Sequence, residues 1–322
     1  MEGLKRIEVY DDELTFVSKN STIDYVQMSS EPHRNFFLIA MQGIIYKYDL
    51  VTKELLFQFK TDVRKSMHLY DKDDKLVVTN EEEIRLWDFD DHKEEAPTLL
   101  TMKQSPLKVE NVFINKNCPG DLHVCVTCQE EFNLYVHLKQ EINQERQLAH
   151  KMYMHKLQLK FQGQLSSKDG VITAAAFTKA SDKLIIGTSL GKLIEYDINS
   201  GQRGENDKQV AGAEQAITKI ISLQAIADSE AFLLLVDDEQ ILVYNHTKRS
   251  DPKEVDFGED GQQFTGFKIS NIQISSNNKF FMIGIPSKRA LGWFALNRIQ
   301  FIVRALKWVT KVSTSNQPGI QI

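Results

Sequence analysis

Lys75 to Asp88 reads Lys-Leu-Val-Val-Thr-Asn-Glu-Glu-Glu-Ile-Arg-Leu-Trp-Asp, and its pattern decides the fold class. The run Leu76, Val77, Val78 has the length of a buried strand and stops at a polar turn of Asn80 and three glutamates. Ile84 and Leu86 then alternate with Arg85 and Trp87, so a period of two sends the pairs to opposite faces of a second strand. A hairpin this small, closed by Trp87-Asp88, needs further strands to be stable.

The same shape returns five more times. Residues 36–49 give Phe-Phe-Leu-Ile-Ala-Met, a Gln-Gly turn and Ile-Ile-Tyr-Lys-Tyr-Asp; residues 183–197 give a Leu-Ile-Ile-Gly-Thr strand and Leu-Ile-Glu-Tyr-Asp. Residues 122–136, 232–245 and 280–294 repeat the pairing less regularly. The closing aromatics are Tyr48, Trp87, Tyr135, Tyr196, Tyr244 and Trp293, spaced 39 to 61 residues apart. A four-stranded propeller blade takes about 40–50 residues. With Leu86-Trp87-Asp88 as its best motif, echoed by Tyr48-Asp49 and Tyr196-Asp197, the chain resembles a WD-repeat β-propeller. The resemblance implies an all-β fold of four-stranded blades with third-strand aromatics filling the interfaces between them. The family's Gly-His pair is absent, and its turn acid has counterparts only at Asp237-Asp238 and, loosely, at Glu81–Glu83. The buried hydrogen-bond network of regular repeats is therefore expected to be mostly missing.

Taken in order, residues 4–11 look like the third strand of a blade and residues 13–18 like the fourth, so the chain enters in mid-blade. Six countable blades plus one shared between the termini make seven, with six as the alternative count. A shared blade leaves no open edge; the other reading of the odd start is a fragment of a longer protein. The propeller is assigned to residues 1–312 and a polar tail to 313–322. An insertion over about 139–157 in the third full blade is expected to be a loop or short helix, because Ile142, Leu148, Met152 and Leu159 fall at near-helical spacing.

Bulk properties narrow the function. Of 322 residues, 42% are hydrophobic and 26% charged, with a net charge of −5, so nothing global points to nucleic acid or an anionic membrane. No apolar run reaches the roughly 18–20 residues of a membrane span, and three cysteines argue against a disulfide framework. A cytoplasmic setting is the default, with cytoskeletal or ciliary assembly as a placement by family analogy. Cys125 and Cys128 form a single C-x-x-C near Cys118, His123 and His137; zinc usually needs four ligands, and packing is the simpler reading. No metal or cofactor is expected. Residues 62–95 hold twelve acids and six bases, whereas residues 288–322 hold six bases and no acid. The basic tail lacks an RNA-binding signature, and the Phe-Arg-Arg-Gly motif of phosphoinositide-binding propellers is missing.

Catalytic motifs are equally lacking: no G-x-S-x-G, H-E-x-x-H, P-loop or dinucleotide fingerprint occurs. The expectation is a non-enzymatic scaffold that presents loops to partner proteins. Its candidate contacts are the acidic turns with Asp71, Asp73, Asp74, Glu81, Glu82, Glu83, Asp237 and Asp238, and the basic insertion with His150, Lys151, His155 and Lys156. The alternative is an enzyme or small-ligand binder that uses the central channel.

Overall fold

The computed structural model describes residues 25–28, 36–49, 51–52, 54–63, 65–70, 75–88, 97–115, 122–142, 152–205, 207–210, 219–226, 230–237, 239–248, 251–255, 268–269, 271–274, 280–285, 290–295 and 309–310. Among these residues every regular element is a strand, and the strands form six four-stranded antiparallel sheets. Sheet A holds β1 (Tyr25–Met28), β2 (Phe36–Met41), β3 (Ile44–Asp49) and β4 (Leu55–Lys60). Sheet B holds β5 (Ser66–Tyr70), β6 (Lys75–Thr79), β7 (Glu83–Asp88) and β8 (Thr98–Gln104). Sheet C follows with β9 (Asn111–Ile114), β10 (His123–Cys128), β11 (Glu131–Ile142) and β12 (Met152–Gln164). Sheet D has β13 (Ile172–Phe177), β14 (Lys183–Thr188), β15 (Lys192–Asp197) and β16 (Lys208–Gln209). Sheet E has β17 (Ile220–Ala225), β18 (Ala231–Val236), β19 (Gln240–Asn245) and β20 (Lys253–Glu254). Sheet F has β21 (Asn271–Ile274), β22 (Phe280–Ile285), β23 (Ala290–Ala295) and β24 (Val309–Thr310).

Alternation along the second strands explains how the sheets stack. In β18, Ala231, Leu233 and Leu235 pack toward sheet F, whereas Phe232, Leu234 and Val236 pack toward sheet D. In β6, Leu76 and Val78 join the core shared with sheet A, and Val77 joins the core shared with sheet C. Both faces of one strand are thus buried, each against a different neighbour, which is why these strands read as continuous apolar runs. The first strands of successive sheets also touch in sequence, β1 to β5, β5 to β9, β9 to β13, β13 to β17 and β17 to β21. Sheets disposed in this way make a β-propeller.

Four of the closing aromatics, Trp87, Tyr135, Tyr196 and Tyr244, lie in cores between sheets. Trp87 packs on Phe59 of sheet A with ring centroids 5.1 Å apart, and Tyr196 meets Phe132 of sheet C edge-on at 4.9 Å. Tyr135 is buried in the core between sheets B and C, and Tyr244 in that between D and E. Each aromatic therefore faces the preceding sheet. Tyr48 points the same way, away from sheet B, and stacks on Phe37 at 5.3 Å in a separate cluster with Ile39 and Met41. Trp293 lies in β23, and its side chain is outside the described set.

The acid that follows the aromatic has its own task. Asp49 Oδ1 accepts hydrogen bonds from the amides of Val51 and Thr52, both at 2.7 Å. Asp197 Oδ1 does the same for Asn199 and Ser200, and Asn245 Oδ1 for Lys248. These Asx turns start the reversal from third to fourth strand. Asp88 instead pairs with Lys75 across the sheet at 2.5 Å.

One expectation fails. Residues 139–157 do not form a loop or short helix on their described portions: β11 and β12 pair from Glu131 with Gln164 out to Ile142 with Met152, with one register shift between Leu134 and Tyr135, leaving 143–151 outside the described residues. Val136 and Leu138 on one strand, and Leu157 and Leu159 on the other, carry a period of two that outweighs the looser helical spacing. The predicted strands at 4–11 and 13–18, the shared blade and the tail at 313–322 all lie outside the described residues.

Candidate partner-binding surface

Second-to-third strand turns and the connectors between sheets meet at one end of the strands. Thr61 N donates to Gly43 O of sheet A, and Lys65 N to Thr79 O of sheet B. Ser105 N and Val109 N donate to Glu82 O and Glu81 O of sheet B, while Glu110 N donates to Thr127 O of sheet C. Leu165 N and Ile172 N reach Glu130 O and Gln129 O of sheet C, and Ser189 N of sheet D reaches Val171 O. Each of these connectors is tied by its backbone to the sheet it leaves and to the sheet it enters. The result is a face whose loops are held by main-chain hydrogen bonds.

Ion pairs reinforce this face beside sheet D. Asp169, in the connector from sheet C, is buried and accepts from Lys192 Nζ and Arg203 Nη1, each at 2.8 Å, and from Ser166 Oγ. The Arg203 guanidinium, then Lys192 and Ser166, hold its carboxyl well below the usual carboxylate range against the opposing cost of burial. Arg203 also pairs with Asp207. No short sequence pattern links residues 169, 192, 203 and 207, so only the fold assembles them.

At the opposite end of sheet C, β11 and β12 run on past β10. His137 N donates to Leu122 O at 2.9 Å, and beyond that bond the two strands continue as a hairpin of their own. His137 Nε2 and His155 Nδ1 lie 2.9 Å apart with their rings stacked at 10°, and Lys139 Nζ sits 4.0 Å over the Tyr153 ring. β12 touches β8 of sheet B. Burial, then the positive charges of Lys139 and Lys75, lower the His155 pKa below 6.5, with Asp88 opposing. Tyr153, Met154 and Leu159 are exposed on β12, as are Leu99 and Met102 on β8.

With the geometry in place, comparisons with known proteins identify the lineage. Residues 50–301 match the family model described as the Pep3/Vps18/deep orange beta-propeller domain. The chain belongs to that family. Among solved structures, the β-propeller domain of Myceliophteria thermophila Cps50 (Swd1) aligns with a TM-score of 0.60 at 12% identity, covering 92% of this chain and 87% of that one. A chain in a crystal structure of the Mitotic Checkpoint Complex gives 0.59 at 12% identity, covering 87% and 76%. At such low identity these likenesses speak for a WD40-like propeller fold alone. No curated protein matches the chain significantly.

Within this family fold, the residues singled out from the sequence separate. Glu81 and Glu82 are exposed in the β6–β7 turn, with Asn80 Oδ1 capping the amides of Glu82 and Glu83. Glu83 is engaged by Arg85 at 2.6 Å. Asp237, at a φ of 51° in the β18–β19 turn, accepts from Lys219 N at 2.6 Å and belongs to the same end of the sheets. His155 and Lys156 lie on β12, at the other end. Asp71, Asp73, Asp74, Asp238, His150 and Lys151 are outside the described residues. Cys125 is buried in the core between sheets C and D, where burial pushes its thiol up, and Cys128 is partly exposed at the strand end. Three residues apart on one strand, the two thiols point to opposite faces.

Proposed function

We propose that this propeller is a non-enzymatic, cytoplasmic scaffold with degenerate WD-type repeats, presenting preformed surfaces to partner proteins in a larger complex. The supporting observation is the set of connectors bonded by their backbones to two sheets at once, as in Ser105 and Val109 to sheet B and Glu110 to sheet C. Loops held in this way lose little conformational freedom when a partner binds, so more of the contact energy appears as affinity. Membership in a β-propeller family and likeness to a propeller within the Mitotic Checkpoint Complex agree with this reading.

Two variants test it. One joins Leu138 to Lys156, which pair across the hairpin, through an Asn-Gly turn and so removes the overhang. The other reverses charge at the exposed Glu81 and Glu82. Affinity purification with mass spectrometry is expected to lose distinct partners with each variant. Retention of every partner by both folded variants would show that neither surface is a docking site.

A further inference from the structure

β12 differs from every other fourth strand described. It is 13 residues long, against 6 for β4, 7 for β8 and 2 each for β16, β20 and β24. It is also the outer strand of its sheet, with β11 on its inner side only. Because His137 N turns toward β10, strand alternation turns Leu138 and Val136 toward β12. Their partners Lys156 and Gln158 then bond inward, and the backbone groups of Tyr153, His155, Leu157 and Leu159 face away from β11. Among the described residues no strand pairs with this side of β12, so four residues present main-chain donors and acceptors along its outer edge.

Side chains along the same edge define the chemistry of its occupant. From Tyr153 to Lys168 there are three lysines, one histidine and no acid, and Lys156 and Lys160 are exposed. Tyr153, Met154 and Leu159 are each 37% to 47% exposed, so apolar surface lies beside the lysines. Lys139 adds positive charge over the Tyr153 ring. An open edge supplies uniform main-chain bonds, and the side chains flanking it supply selectivity.

Resting on the scaffold reading above, we propose that β12 receives an extended acidic segment of a partner protein as a fifth strand of sheet C, its carboxylates facing Lys156 and Lys160 and its apolar residues meeting Tyr153, Met154 or Leu159. Edge lysines also deter indiscriminate strand pairing. A lysine with only that protective role leaves affinity for an acidic segment unchanged on substitution, so the two roles are separable.

The test uses the whole chain and a fluorescein-labelled dodecapeptide alternating Glu with Val and Thr, with a Lys-for-Glu peptide as control. Fluorescence anisotropy is expected to show saturable binding of the acidic peptide only. K156E/K160E should weaken it about tenfold or more. Tyr153→Pro, which removes one outward N–H, should weaken it about fivefold beyond Tyr153→Ala, the side-chain control. Hydrogen exchange at Tyr153, His155, Leu157 and Leu159 should slow on binding. Circular dichroism and thermal melts establish that each variant is folded. No binding of the acidic peptide up to millimolar concentration, or equal affinity in the proline and alanine variants, overturns the proposal. So does binding of phosphatidylserine vesicles or poly(U) to this edge in place of the peptide. If cellular partners survive K156E/K160E but are lost on charge reversal of Glu81 and Glu82, strand addition fails while the scaffold reading stands.

Discussion

Sheets C and D share a frame and diverge at its edge. Their second strands are six residues each, and both bury alternate side chains in the same inter-sheet core, Cys125 from one and Leu184 and Ile186 from the other. In sheet D the outermost strand shrinks to Lys208–Gln209, and the space beside it is taken by the Arg203 turn and its ion pairs. In sheet C the outermost strand grows to 13 residues and, with β11, runs past β10. The inner strands are constrained on both faces by neighbouring sheets, whereas a fourth strand is constrained chiefly by the third. Stability therefore resides in the inner strands, and variation is tolerated at the rim.

The sharpest way to break that comparison is a pair of truncations. Ile186→Ala in the core between C and D should cost about 3 kcal/mol in chemical denaturation. Met154→Ala on the overhang should cost less than about 0.5 kcal/mol. Equal effects would mean that the rim is as cooperative as the core.

Next in size is Asp169→Asn, expected to destabilise by about 2 kcal/mol because Lys192 and Arg203 lose their shared carboxylate. The folded-state pKa of Asp169 lies below its unfolded value, so this contribution is complete above pH about 4 and lost as the pH falls further. Acid titration of stability should consequently be shallower in Asp169→Asn than in the wild type. A matching profile would remove the carboxylate from the account of sheet D.

A smaller effect belongs to sheet C. The pKa of His155 is lowered in the folded protein, so its neutral form is favoured there and its contribution is present above about pH 6.5. Lowering the pH from 7.5 to 5.5 should reduce hydrogen-exchange protection in the hairpin beyond Leu138, after correction for intrinsic rates. Lys139 and Lys75 oppose protonation and Asp88 partly favours it, so His155→Gln should flatten the response and Asp88→Asn should shift it to lower pH.

Much of the frame was legible in the chain. Residues 36–41 and 44–49 read as strands with the boundaries that β2 and β3 have, and the alternation that sends Ile84 and Leu86 to one face and Trp87 to the other holds, the two faces lying in different inter-sheet cores. The outer hairpin was misread because its apolar residues satisfy two periods at once, and pairing with β11 decides between them. Of the candidate contacts, the exposure of Glu81 and Glu82 could be anticipated from a polar turn. The outward backbone groups of β12 could not, since the direction of an amide follows from register rather than residue type.

Sequence alone therefore determined the repeating strand pair and the position of the aromatic near its end, because these depend on periodicity. Only the tertiary structure decided which sheets neighbour one another, where Asp169 finds Arg203 34 residues away, and that the 13-residue β12 lies outermost in sheet C. Those features arise from contacts between distant segments, and no local pattern of side chains encodes them.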